Sequence, residues 1–135
     1  MLFGGGMEEV GWRWVLQPEL EKRFPFGIAT IITSLIWCLW HIPLYLLRAH
    51  PSLMLIFLAF LILLIGMSFV QGTIYGYSKN IWLCALLHCS FNALPASFVF
   101  KENIPINTGI SIVMVIGALI VRKILVKRSE LIVEN

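Results

Sequence analysis

FGIATIITSLIWCLWHIPLYLL, residues 26–47, is the stretch whose reading decides the fold. It is as long as a helix that crosses a bilayer, which takes about 20 predominantly apolar residues. Within it sit Trp37 and His41. An ionisable group at the bilayer centre costs roughly 2.5 kcal/mol or more unless it is paired or solvated, so an intramembrane histidine is by default a pointer to a polar interior site. Working outward, three more apolar runs follow at Leu53 to Val70, Ile81 to Phe100 and Ile106 to Val121. Each is near spanning length, and together they predict about four transmembrane helices.

The runs differ in what they hide. Leu53 to Ile65 carries no polar side chain and is expected to face lipid. The first and third runs contain His, Asn, Cys and Ser, and are expected to line the bundle interior. Ahead of them, Met7 to Arg23 reads as a shorter charged and aromatic helix, interrupted at Pro18 and ended near Pro25, that packs half-inserted against the first span. Short links are expected at Arg48 to Ser52, Gly76 to Asn80 and Lys101 to Pro105. The fold class is thus all-α, a polytopic membrane helix bundle in one domain over residues 1–135.

Composition agrees with that medium. Hydrophobic residues make up 59% of the 135 residues and charged ones 13%, with a mean hydropathy of +0.90, which excludes an ordinary soluble domain. The net charge of +3 comes with no basic run interleaved with exposed aromatics, so no nucleic-acid partner is implied. Cys38, Cys84 and Cys89 all fall in apolar runs, and their odd number speaks for reduced thiols rather than a disulfide framework. No removable signal peptide is visible. Grouping Lys22, Arg23, Lys79, Arg122, Lys123, Lys127 and Arg128 on one side leaves only Arg48 and Lys101 on the other, so the C-terminal tail is expected in the cytoplasm. Tyr77 and Trp82 would anchor the same interface, while His50, beside Pro51, reads as interfacial and inert. Glu19, Glu21, Lys22 and Arg23 read as a solvated face.

Depth along the helices links the polar residues. With a reversal near Pro25, Glu8 lies 17 residues before the turn and His41 16 after it, so both are roughly 24 Å along antiparallel helices. His88, counted from Asn80, is only about 12 Å in, a shortfall that tilt or a kink at Pro43 would have to close. Glu9 and Arg13 are four apart and can pair; Trp37 with His41, and His88 with Asn92, share helix faces in the same way. Adjacent glutamates point about 100° apart, so Glu9 can hold the arginine while Glu8 addresses a cavity and serves as a general base.

In order, EEVGWR at 8–13, WCLWHIP at 37–43 and LLHCSFN at 86–92 resemble the motifs of the CPBP intramembrane proteases. That family groups the type II CAAX prenyl endopeptidases with bacteriocin-processing and Abi proteins. The resemblance implies an intramembrane endopeptidase in which Glu8 activates water and His41 positions it. His88 and Asn92 would stabilise the oxyanion, with Glu9, Arg13 and Trp37 in support. Its substrate would be a peptide or protein, prenylated or leader-bearing, met in the lipid bilayer, and the compact motif set points to a prokaryotic plasma membrane. Members generally carry further helices before the glutamates, so a chain truncated at its N-terminus is expected. Trp14 stands where many members have glycine, and Trp37 where phenylalanine is common.

Three alternatives compete. A non-catalytic bacteriocin-immunity or scaffold protein would keep the bundle without the chemistry. Zinc, expected to be unnecessary, would fall on Glu8, His41 and His88 if the site used a metal. A purely structural zinc would instead join Cys38, His41, Cys84 and His88, though no HExxH motif is present.

Overall fold

The computed structural model describes residues 5–47, 53–93 and 103–133. His50, Lys101, the link over residues 48–52 and the last part of the expected third span, 94–100, lie outside them. The described residues are helical throughout apart from short turns, and the fold is an all-α membrane bundle. A π-helical segment, Val10–Leu16, runs directly into a short helix, α1 (Gln17–Glu21). Then come α2 (Phe26–Trp40), α3 (Ile42–Leu46), α4 (Leu53–Ser78), α5 (Ile81–Ala93) and α6 (Ile104–Val133).

Three stretches are long and apolar enough to cross a membrane: Phe26–Leu46, Met54–Ser78 and Ile104–Lys127. The described part of α5 is shorter, 13 residues or about 20 Å. The last helix extends well past the expected end at Val121, because RKILVKRSELIV offers no glycine or proline to stop it.

Local chemistry explains the joints. Pro18 does not break the N-terminal helix; it sits in the first turn of α1, where its fixed φ of about −65° suits the helix. Pro43 acts differently. Lacking an N–H, it cannot bond back to Leu39, so α2 ends at Trp40 and His41 takes the junction at φ −85°, ψ −9°. Between α4 and α5 the link is only Lys79 and Asn80, shorter than expected. Lys79 takes a left-handed φ of 51°, and the Asn80 side chain accepts the Trp82 N–H at 3.0 Å, capping α5.

The expectation that Leu53 to Ile65 simply faces lipid is corrected. Met54, Leu55 and Leu58 do point outward, but Ala59 and Leu64 are buried, and α4 is the helix on which α2, α5 and α6 pack. Lipid tails are as apolar as leucine, so close fit and interhelical hydrogen bonds must hold such helices together. Gly66 supplies the fit: a Cβ there would lie 2.9 Å from Ser111 of α6. Asn107 Nδ2 donates to the Ala59 carbonyl at 3.4 Å, and Thr73 Oγ1 to that of Ala118 at 3.4 Å. The core gathers Trp37, Cys38, Leu64 and Met67, with Trp12, Phe57, Phe60 and Phe91 around them.

Arg122 Nη2 lies 3.7 Å from Glu21 Oε2, and its guanidinium stacks 3.9 Å from the Phe26 ring, which brings α6 to the turn between α1 and α2. Glu21, expected as part of a solvated face, is therefore half-buried and paired; Glu19 and Lys22, 2.6 Å apart, are exposed as expected.

Candidate active site

The glutamates stand directly ahead of the π segment, with Glu9 at its N-terminal boundary. Glu9 is fully buried, and its two oxygens take different partners. Oε2 accepts Arg13 Nε at 3.1 Å, and Oε1 lies 2.7 Å from His88 Nδ1 on α5. The short contact with His88 closes the depth shortfall that sequence distances left. Part of that closure comes from the wider π turn, which advances less per residue than an α turn and holds Glu9 nearer the reversal at Pro25.

Arg13 is also fully buried and has no shortage of acceptors. Its Nη1 donates to Gln17 Oε1 at 2.6 Å, and its Nη2 to Ser68 Oγ at 3.1 Å and to Gln71 Oε1 at 3.0 Å; Nε also approaches Gln71 Oε1 at 3.3 Å. Gln17 Nε2 passes the network on to Thr30 Oγ1 and Glu21 Oε1, at 3.1 and 3.0 Å. Gln71 Nε2 reaches the Cys84 carbonyl at 3.4 Å, and Cys84 Sγ faces the Gln71 carbonyl at 3.7 Å. One guanidinium thus ties the π segment, α1 and α4 together, and through Glu9 it reaches α5.

Glu8 takes the other direction. Its Oε2 accepts the Trp37 indole N–H at 2.8 Å and, more weakly, that of Trp12 at 3.4 Å, leaving Oε1 without a hydrogen bond among the described residues. Trp37, 1% exposed, is the hub of the site. Its ring centroid lies 5.1 Å from that of His88, 6.4 Å from that of His41 and 5.3 Å from Arg13 Cζ. His41 Nδ1 is 3.0 Å from the Trp37 carbonyl, which can only accept, so Nδ1 carries a hydrogen and Nε2 is the ring nitrogen left to face other groups. Phe60 packs against that ring at a tilt of 59°, with centroids 4.9 Å apart. Asn92, near the end of α5, presents its amide beside His88 Nε2, both against the backbone of Gly5.

The structure therefore gathers Glu8, Glu9, Arg13, Trp37 and His88 directly. His41 joins them through Trp37, and Asn92 through its place next to His88. Trp14, which stands where many members have glycine, is 61% exposed. Gln17, Ser68 and Gln71 escaped the sequence reading, although Ser68 and Gln71 stand one turn apart on α4 and Gln17 stands four after Arg13. Among the described residues no three His, Cys, Asp or Glu side chains converge as metal ligands. The four donors Cys38, His41, Cys84 and His88 do not form a tetrahedral set, since His88 turns Nδ1 to Glu9 and Cys84 turns Sγ to Gln71.

A polytopic helical membrane protein enclosing paired glutamates, two histidines and a buried arginine is the class that these observations define. The family model described as Type II CAAX prenyl endopeptidase Rce1-like matches residues 1–94, and the chain belongs to that family. The matched region runs from the N-terminus through α5 and holds every residue of the cluster. At the family level this is an intramembrane CAAX-type endopeptidase. No curated protein and no solved structure matches the chain.

Proposed function

We propose that the chain hydrolyses a peptide bond at the membrane with Glu8 as general base and without a metal. The observation that carries this reading is the holding of Glu8 by Trp37: one carboxylate oxygen is fixed by an indole N–H at 2.8 Å while the other stays available to a water molecule. As the water oxygen bonds to the carbonyl carbon, Glu8 takes its proton, and the lone pair of His41 Nε2 orients the same water. The carbonyl oxygen gains negative charge and is met by His88 Nε2 and the Asn92 amide. Collapse of the adduct breaks the C–N bond, and the proton held by Glu8 passes to the leaving amine.

Charge balance supports the assignment of Glu9 to His88. With Nδ1 bonded to a carboxylate, His88 donates from Nε2 only as the imidazolium. The set Glu8 and Glu9 against Arg13 and a protonated His88 then sums to zero, which lowers the cost of keeping it out of water. The substrate is a membrane-embedded peptide end, prenylated or leader-bearing, and the C-terminal helix end faces the cytoplasm.

Glu8→Gln in reconstituted protein tests the reading. The carboxamide keeps the Trp37 contact but cannot take a proton, so turnover of a lipidated CAAX peptide should fall about 10²- to 10⁴-fold, the usual worth of a positioned base. Retained turnover rejects Glu8 as the base. Bacteriocin resistance that survives loss of Glu8, His41 and His88 together would install the immunity role instead.

A further inference from the structure

Gln71 is fully buried on α4 and uses both ends of its side-chain amide. Its Oε1 accepts from two nitrogens along one edge of Arg13, Nη2 at 3.0 Å and Nε at 3.3 Å. Its Nε2 donates to the Cys84 carbonyl of α5 at 3.4 Å, while the Cys84 thiol returns a weak bond to the Gln71 carbonyl at 3.7 Å. Only this orientation of the amide fits, because a guanidinium only donates and a carbonyl only accepts. Arg13 does not need Gln71 to be satisfied. Its Nε also has Glu9 at 3.1 Å, its Nη2 has Ser68 at 3.1 Å and its Nη1 has Gln17 at 2.6 Å. What Gln71 adds is a closed circuit, which runs from its oxygen through Arg13 and Glu9 to His88, one turn back along α5 to Cys84, and so to its own nitrogen.

We infer that Gln71 is a positioning residue of the hydrolytic site, setting the distance between Glu9 and His88 from both sides. Its oxygen fixes the guanidinium edge that orients Glu9, and its nitrogen fixes the turn of α5 that leads to His88. This role rests on the hydrolytic reading above, in which His88 meets the charge that develops on the substrate carbonyl, and extends it to a helix that supplies none of the reacting groups. Magnitudes favour alignment over stability. Hydrogen bonds between membrane helices are individually weak, and the two contacts to Cys84 are long. The 2.7 Å bond between the Glu9 carboxylate and His88 is short and therefore steep in distance, and a misplacement of about 1 Å near a reacting group can cost about 10²-fold in rate. Losing Gln71 thus costs little packing and much alignment. A neutral amide suits the task, since it supplies acceptor and donor together without disturbing the zero charge sum of Glu8, Glu9, Arg13 and His88.

The test compares Gln71→Met with Thr73→Val in the reconstituted chain. Thr73 also gives up a buried interhelical bond, the one to the Ala118 carbonyl of α6 at 3.4 Å, but stands outside the circuit. Two readouts are taken: turnover of a lipidated CAAX peptide, and the low-field ring N–H proton resonance of His88 in histidine-labelled protein, assigned by its loss in His88→Asn. Gln71→Met should lower kcat per folded molecule about 10- to 10²-fold with KM within a few-fold, because the charge that His88 meets develops only during attack. The His88 resonance should move upfield as its bond to Glu9 lengthens. Thr73→Val should lower thermal stability and leave kcat and the resonance where they are. Should Gln71→Met not fold, Gln71→Glu, whose carboxylate keeps Arg13 but donates nothing to Cys84, takes its place with the same expectations. An unmoved resonance or an unchanged kcat in the folded variant, or an equal loss in Thr73→Val, overturns the role of Gln71 and leaves Glu8 catalysis standing. A resonance that moves in a chain that cleaves no peptide even when unsubstituted supports the hold of Gln71 on His88 and overturns the hydrolytic reading.

Discussion

Replacing Arg13 by leucine removes the group that ties the π segment, α1 and α4 together through side-chain contacts and reaches α5 through Glu9. The guanidinium donates to Glu9, Gln17, Ser68 and Gln71 at 2.6–3.1 Å in a site with no exposure to solvent. Leucine fills a similar stem volume but leaves Glu9 facing only His88, and leaves the Gln71 and Gln17 oxygens without their donor. Stranding one partner of a buried ion pair costs about 3–5 kcal/mol. Interhelical hydrogen bonds in membrane proteins average only about 0.6 kcal/mol, so most of the effect must come from Glu9. Arg13→Leu should therefore destabilise the chain by about 3–5 kcal/mol, a large share of the 5–15 kcal/mol that holds a typical domain. Glu9→Leu should cost a comparable amount, and the double variant much less than the two together, giving a coupling of about 1–3 kcal/mol. Denaturant-driven unfolding in mixed micelles, followed through Trp fluorescence, reads this directly because Trp12 and Trp37 pack with centroids 6.1 Å apart beside the cluster. A loss under about 1 kcal/mol for Arg13→Leu, or additive costs in the double variant, would refute the idea that this charge network holds the helices in register.

Two further outcomes follow from the same geometry. Trp37→Phe keeps a ring against His88 but deletes the N–H at 2.8 Å from Glu8; a hydrogen bond to a charged group is worth about 1.5–3 kcal/mol, so steady-state kinetics should show kcat down tenfold or more, and an unchanged kcat would show that Glu8 needs no indole to hold it. Phenanthroline or EDTA treatment should leave turnover intact and purified protein should carry no stoichiometric zinc; activity lost to chelation and restored by zinc would move the mechanism to a metal on Glu8, His41 and His88.

The helical class and the membrane setting were legible because both depend on summed apolar length, which sequence states outright. Glu8 and His41 fell at one depth because a single turn at Pro25 separates their helices, and the 2.8 Å contact between Glu8 and Trp37, one turn before His41, follows from that. His88 was placed too shallow relative to the glutamates partly because their own depth was counted with an α-helical rise through Val10–Leu16, where the chain is π-helical and advances less. No composition rule announces a π turn. The central place of α4 was hidden for a different reason: a run of Leu, Ile and Phe looks the same whether its neighbours are lipids or helices, and small and polar residues such as Gly66, Ser68, Gln71 and Thr73 mark the buried face. Pro43 was read as a place for a kink, and the helix is interrupted one turn before it, with α2 ending at Trp40 and α3 starting after His41.

The π segment has a physical reason in the side chains it carries. Contacts four residues apart succeed one another from Glu9 to Arg13, Arg13 to Gln17 and Gln17 to Glu21, all on a face turned toward α2 and α4. In an α-helix each such step rotates by about 40°, so three of them would carry Glu21 about 120° away from Glu9 and out of the shared face. A turn with more residues per revolution cancels much of that drift. It keeps a file of charged and amide groups aligned through apolar surroundings, so that every buried donor of Arg13 finds an acceptor. Fewer backbone hydrogen bonds of ideal geometry are the cost, and an arginine buried without partners in hydrocarbon would cost more, about 2.5 kcal/mol or above. The irregular backbone is thus the form in which this sequence can hold Glu9 against both Arg13 and His88, and π turns recur at functional sites for this kind of reason.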